Sequence, residues 1–107
     1  MKMYAQAYLE LMRQRRPEES RAMGEEALQA QALEVEHDYG GRAMELAMSM
    51  RQQRQNRMKR VPSHEENARM ISEARMNARS MVLEELPAAI EWEPEASAAA
   101  EKADRFL

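Results

Sequence analysis

An all-α fold is predicted by the residue composition of the chain and by the helical spacing of its apolar residues. The 107 residues include 18 alanines, 11 methionines, 17 glutamates and 13 arginines, but three valines, two isoleucines and no threonine. Helices favour the first group, whereas strands are rich in β-branched residues. A chain of this length holds one domain at most. We therefore predict a small three- or four-helix bundle over residues 1–86, followed by an acidic C-terminal tail over 87–107.

Four helices are predicted within the bundle from their start and stop signals. Pro17 suits the first position of a helix, and Gly40-Gly41 is a strong stop signal after it. Val61-Pro62 ends the third helix, because the residue before a proline is biased out of the helical conformation. Ser63 and Glu66 then form a capping box that starts the fourth. The predicted helices span about 2–16, 18–38, 42–60 and 64–86.

The C-terminal segment contains the single tryptophan and the single phenylalanine of the chain, set among acidic residues. Ile90 and Trp92 alternate with Glu91 and Glu93, and the alanine-rich residues 96–105 favour a short helix. We expect this tail to dock through Ile90 and Trp92, either on its own bundle or on another protein.

A net charge of −3 conceals an uneven distribution along the chain. Residues 1–41 carry five bases and eight acids, residues 42–79 nine bases and four acids, and residues 80–107 two bases and seven acids. The densest basic run is Arg51–Arg60, with four arginines and one lysine in ten residues. Charge asymmetry of this kind indicates an interaction surface.

The target of the basic run stays open at this point. Arginines spaced along a helix can neutralise the phosphates of RNA or DNA, but aromatic residues for base stacking are missing nearby. The run would also be able to bind an acidic protein or the acidic tail of the chain itself. It is equally consistent with a solvated helix end that binds nothing. The predicted contact residues are Arg51, Arg54, Arg57, Lys59 and Arg60 for an acidic or phosphate surface, and Ile90 and Trp92 for an apolar pocket.

Catalytic and metal chemistry have little support in the sequence. Cysteine is absent, which excludes disulfides and thiolate sites. Glu34 and His37 form a lone E-x-x-H, whereas di-iron bundles use that motif twice. His64-Glu65 does not extend to H-E-x-x-H, because Ala68 occupies the place of the second histidine. We therefore expect no catalytic residues, no metal, no cofactor and no enzymatic activity.

The expected function is binding. No apolar run approaches the roughly 20 residues that span a bilayer, and the first residues do not resemble a signal peptide, so we expect a cytoplasmic protein without a membrane partner. We predict an adaptor, regulator or inhibitor of a protein complex, of the compact accessory type that phages and plasmids encode. One alternative is an RNA- or DNA-binding regulator that uses residues 51–60. Another is a structural protein that forms a homodimer through its methionine and alanine faces.

Overall fold

The chain folds into five α-helices, which confirms the all-α prediction. The computed structural model describes residues 2–105 and the side chains of residues 2–102, and this part of the chain contains no strand. The helices are α1 (Met3–Arg15), α2 (Pro17–Met23), α3 (Glu25–Met58), α4 (His64–Ala89) and α5 (Pro94–Arg105).

The helices contribute to two compact units. Within the described residues, unit 1 contains residues 2–36 and 85–105, and unit 2 contains residues 37–84. Unit 1 therefore combines α1, α2 and α5 with the first part of α3 and the end of α4. Unit 2 consists of the remainder of α3 and α4.

The core of unit 1 is built from large side chains. Helix α1 packs against α2 and α5, and its backbone is tied to α3 because the amide of Ala5 donates a 3.0 Å hydrogen bond to the Glu36 carboxylate. Leu28 and Leu86 are each only 2% exposed. Burial raises the pKa of Tyr8, and the charge of Glu19 raises it further. The buried apolar residues of unit 1 are Tyr4, Ala5, Tyr8, Met12, Leu28, Ala32, Leu86 and Ile90.

Unit 2 is an antiparallel hairpin of two helices, and its buried side chains include Met70 and Val82 besides several alanines. Residues 59–63 connect α3 to α4, and an exposed ion pair between Arg54 and Glu73 links the two helices. Its central cluster is formed by alanines, against which two larger side chains pack. Alanine side chains allow two helices to approach closely but bury little apolar area. The cluster contains Ala47, Ala74 and Ala78, flanked by Leu46 and Met50.

The predicted stop at Gly40-Gly41 was wrong, because α3 is continuous from Glu25 to Met58. Each glycine in a helix interior costs up to about 1 kcal/mol relative to alanine. The continuous hydrogen bonds of the helix offset this cost, together with burial on both sides of the glycines, at Ala32 and Ala43. Predicted helices 18–38 and 42–60 are therefore parts of one longer helix over most of their length.

The actual break lies at Gly24. This residue adopts φ +82°, and its amide donates to the Ser20 carbonyl at 3.2 Å, which closes α2. An L side chain rarely adopts that conformation, whereas glycine does so without steric cost. The predicted helix 18–38 is thus divided between α2 and α3.

Helix α4 extends beyond its predicted end at residue 86, with Pro87 inside the last turn. Arg15 satisfies the carbonyls at this helix end, because its Nη1 donates to the oxygens of Pro87 at 2.7 Å and Ile90 at 3.2 Å. The short helix expected in the C-terminal segment is α5, which begins with Pro94 at the position that proline favours.

Candidate interaction surface

The predicted basic contact residues lie together at one end of the unit 2 hairpin. Arg51, Arg54 and Arg57 belong to the last turns of α3, while Lys59 and Arg60 lie in the connection to α4. The helix ends there because Lys59 takes the left-handed conformation, with φ 55°. We call these five residues the basic tip.

Arg60 is bound to the capping box that starts α4. Glu66 donates its amide to the Ser63 hydroxyl at 3.2 Å, and the Ser63 amide donates to the Glu66 carboxylate at 3.4 Å, as the sequence predicts. Both terminal nitrogens of Arg60 donate to the same carboxylate, at 3.1 and 2.6 Å. The Arg60 guanidinium, with help from the Ser63 amide, lowers the pKa of Glu66 from 4.5 to about 2. This pairing also raises the pKa of Arg60.

Arg54 is also paired within the chain. Its Nη1 contacts the carboxylate of Glu73 on α4, and the two side chains are 50% and 45% exposed. The pair links the two helices of the hairpin, at the modest energy typical of exposed ion pairs. A partner that used Arg54 would first have to displace Glu73.

The other three residues of the basic tip have no polar partner in the described part of the chain. Within the described part of the chain, Arg51, Arg57 and Lys59 make no hydrogen bond or ion pair from their side chains. Arg57 and Lys59 are exposed, and Arg51 is half-buried. These three cations can therefore bind an external anionic group without breaking an intrachain contact.

Ile90 and Trp92 lie in unit 1 and are engaged there. Ile90 is only 6% exposed, so its side chain is part of the unit 1 core and is not accessible to a partner in this structure. Trp92 is half-buried, with the Arg15 guanidinium 5.0 Å from its ring centroid. The Arg16 guanidinium also donates to the carbonyl of Glu91 at 3.1 Å. The segment between α4 and α5 is therefore held by the junction of α1 and α2.

Glu93 completes this attachment, and sequence reasoning did not single it out. Its carboxylate accepts hydrogen bonds from the amides of Glu18 at 3.3 Å and Glu19 at 3.1 Å, at the start of α2. Its own amide donates to the Arg15 carbonyl at 2.8 Å. Glu93 is only 9% exposed. A remote carboxylate thus caps α2. We call the contacts of Arg15, Arg16 and Glu93 the junction latch.

One feature of the sequence could have indicated such a cap. The first amides of a helix need acceptors, usually from a Ser, Thr, Asp or Asn at the N-cap. Arg16 occupies the N-cap of α2 and has no acceptor atom in its side chain. An acceptor from elsewhere in the chain is therefore required, although the sequence alone does not identify which one.

Across the part of the chain that is described, no group of three or more His, Asp or Glu side chains is arranged to hold a metal ion. In the same part, each helix is too short or too polar to cross a lipid bilayer.

Comparisons with known proteins add no relative to this picture. The chain matches no family of proteins, no curated protein and no solved structure. Its function has to be inferred from its own residues.

Proposed function

We propose that this chain is a non-enzymatic binding protein that contacts an acidic surface of another protein through the basic tip. The observation that supports this proposal is the state of Arg51, Arg57 and Lys59, which have no intrachain partner in the described residues and lie at one end of the hairpin. Cations without an internal partner can bind an acidic group without first losing a contact.

The surroundings of the basic tip favour protein over nucleic acid. Tyr39 is the aromatic residue of unit 2, and it is half-buried beside Arg42, whose guanidinium lies 5.2 Å from its ring centroid. Base stacking on single strands generally uses exposed aromatic rings. Unit 2 instead exposes methionines, at Met44 and Met48 among others. Methionine is common on adaptable protein-binding surfaces.

The architecture, compartment and class of function expected from the sequence belong to the same proposal. In it, the chain is a small helical bundle with an acidic C-terminal tail, and it acts in the cytoplasm as an adaptor, regulator or inhibitor. Five acids and two bases over residues 87–107 support the acidic character of that tail. The complete absence of cysteine suits a reducing compartment.

Affinity capture from a lysate of the source cells, with and without nuclease, tests the proposal. The immobilised chain should retain a protein after nuclease treatment, and Arg57→Gln plus Lys59→Gln should reduce its recovery about tenfold. The matched control is Lys2→Gln plus Lys102→Gln, which removes the same charge from unit 1 and should leave recovery unchanged. Equal recovery with both double variants would contradict the proposal. Loss of all capture on nuclease treatment would replace it with nucleic-acid binding.

A further inference from the structure

One flank of the unit 2 hairpin is defined by residues that directly follow buried positions. Successive residues lie about 100° apart around a helix, so Met48 lies beside the buried Ala47 in α3, and Arg75 beside the buried Ala74 in α4. Because the two helices run in opposite directions, the residue after each buried position faces the same side of the pair in both. We call this side the hairpin flank. Met44 and Met48 of α3 and Ile71, Arg75, Arg79 and Leu83 of α4 each follow a buried residue and lie on it. Arg51 follows the half-buried Met50, and it lies on the same side because four residues advance about 40° around the helix from Ala47.

The hairpin flank is basic and contains no acid. Glu73 precedes Ala74 and therefore lies on the opposite flank, where it pairs with Arg54, and Glu66 is bound to Arg60. The remaining acids of unit 2 fall on other sides of the two helices by the same spacing; they are Asp38, Glu45, Glu65 and Glu84. Within the described residues, Arg51, Arg75 and Arg79 make no hydrogen bond or ion pair. Three unpaired cations thus face one side.

The same flank exposes apolar side chains. Met44 is 67% exposed and Met48 is 66% exposed, one helical turn apart on α3. Ile71 is half-buried on α4. Scattered exposed apolar residues are ordinary on protein surfaces. Two methionines in line, bordered by unpaired arginines on the facing helix and at one end, instead form an amphipathic surface.

We propose that the hairpin flank binds an acidic amphipathic helix of the partner protein. Such a helix would lie along α3 and α4, cover Met44 and Met48 with its apolar stripe, and direct its carboxylates to Arg51, Arg75 and Arg79. Helix-in-groove recognition of this kind depends on apolar anchors at i, i+3, i+4 and i+7. The flank has three cations and no acid, so it favours a partner helix that is acidic. This inference rests on the proposed function and specifies the partner segment.

Fluorescence anisotropy with two labelled peptides tests the inference. The first is a peptide of about 20 residues, roughly 30 Å as a helix, with leucines at helical spacing and glutamates elsewhere; the second has the same composition in scrambled order. The first should bind the chain at least about tenfold more tightly than the second, because the scrambled peptide lacks an apolar stripe. Arg75→Gln plus Arg79→Gln should weaken binding about tenfold.

A matched pair of methionine variants isolates the apolar contribution. Met48→Gln should weaken binding of the patterned peptide, whereas Met76→Gln should not, because Met76 is similarly exposed at 62% but lies on the far side of α4. Both positions are exposed, so both variants should keep the helical circular dichroism of the wild type.

Several results would overturn the inference. These are equal affinity for the two peptides, a Kd for the patterned peptide above about 1 mM, tighter binding of an RNA or DNA duplex through the same arginines, or a dimer in sedimentation that Met48→Gln dissociates.

Failure of the flank inference does not by itself contradict the proposed function. If Arg57→Gln plus Lys59→Gln reduces capture of the cellular partner about tenfold while Arg75→Gln plus Arg79→Gln captures normally, the flank inference fails and the basic tip remains the contact surface. If the wild type captures no protein after nuclease, the proposed function itself fails.

Discussion

The two units use arginine in different ways. In unit 1, Arg13, Arg15, Arg16 and Arg21 all donate hydrogen bonds to groups of the same unit. In unit 2, Arg54 and Arg60 are paired with acids. Within the described residues, the side chains that make no such contact are Arg51, Arg57, Arg69, Arg75 and Arg79. Unit 1 carries seven bases and thirteen acids, while unit 2 carries nine bases and six acids.

This difference shows that basic density along a sequence is not enough to identify a contact surface. Arg13, Arg15 and Arg16 form a cluster as dense as the basic tip, yet two of them hold the junction latch and the third binds Glu25. Arginines that already donate hydrogen bonds within the chain would have to lose them in order to bind a partner. Arginines without such bonds can bind an external acid directly. The proposed contacts therefore lie in unit 2.

The largest expected effect concerns the alanine core of unit 2. Ala78 is 0% exposed, so Ala78→Leu should force α3 and α4 apart and lower the free energy of unfolding by about 3 kcal/mol. Ala68→Leu, at an exposed position of the same helix, is the control and should change stability by less than about 0.5 kcal/mol. Urea denaturation followed by circular dichroism measures both. Equal midpoints for the two variants would show that unit 2 does not depend on close helix packing.

The next effect concerns the junction latch of unit 1. Glu93→Gln replaces a buried carboxylate that accepts from two backbone amides, and we expect a loss of about 2 kcal/mol in unfolding free energy. Glu91→Gln, an exposed neighbour, should have almost no effect on the denaturation midpoint. If Glu93→Gln is as stable as the wild type, the carboxylate does not hold the latch.

A third pair of effects, of comparable or smaller size, separates the two kinds of glycine. Gly41 is helical with open space where a Cβ would stand, so Gly41→Ala should stabilise the chain by about 0.5–1 kcal/mol. Gly24 adopts φ +82° and ψ 160°, a region almost confined to glycine, so Gly24→Ala should destabilise by about 1–3 kcal/mol. Thermal unfolding of the two variants should shift in opposite directions. A rise in Tm for both would contradict the assigned break at Gly24.

The smallest effect is a pH dependence at the basic tip. The folded pKa of Glu66 is lowered from 4.5 to about 2. Stability from its ion pair with Arg60 is therefore fully present above pH 4.5 and is lost as the pH falls toward 2. Glu66→Gln keeps a capping side chain but lacks the charge. The denaturation midpoints of wild type and variant should differ slightly above pH 4.5 and converge near pH 2. A difference independent of pH would contradict this assignment.

The features of the fold that could be predicted from the sequence depend mostly on residues close to one another in the chain. The helical composition, the Ser63–Glu66 capping box and Pro17 each depend on neighbours within a few residues, and each is found as expected. The stop at Gly40-Gly41 failed because a glycine pair has only a weak preference against helix, which the packing of a long helix outweighs. The helix breaks at Gly24 instead, because this residue adopts φ +82° and cannot continue the helical backbone after its amide closes the last turn of α2.

The candidate site could be predicted only in part, because pairing is not local. The sequence indicates a basic run at residues 51–60, but Glu73 is 19 residues from Arg54 and meets it only through the hairpin. The contacts of Glu93 with the start of α2 span 74 and 75 residues. The proposed grouping of Arg75 and Arg79 with Met48 likewise rests on how α3 and α4 pack at Ala47, Ala74 and Ala78. These relations depend on the fold and not on any single stretch of sequence.

Hydrogen exchange of the chain bound to its captured protein partner tests whether unit 2 forms the contact surface. We expect added protection in residues 44–60 and 71–79 of unit 2, and unchanged exchange over residues 87–93, which take part in the junction latch. Protection confined to α1 and residues 87–93, with none at the end of α3, would contradict the claim that the unpaired cations of unit 2 form the contact surface.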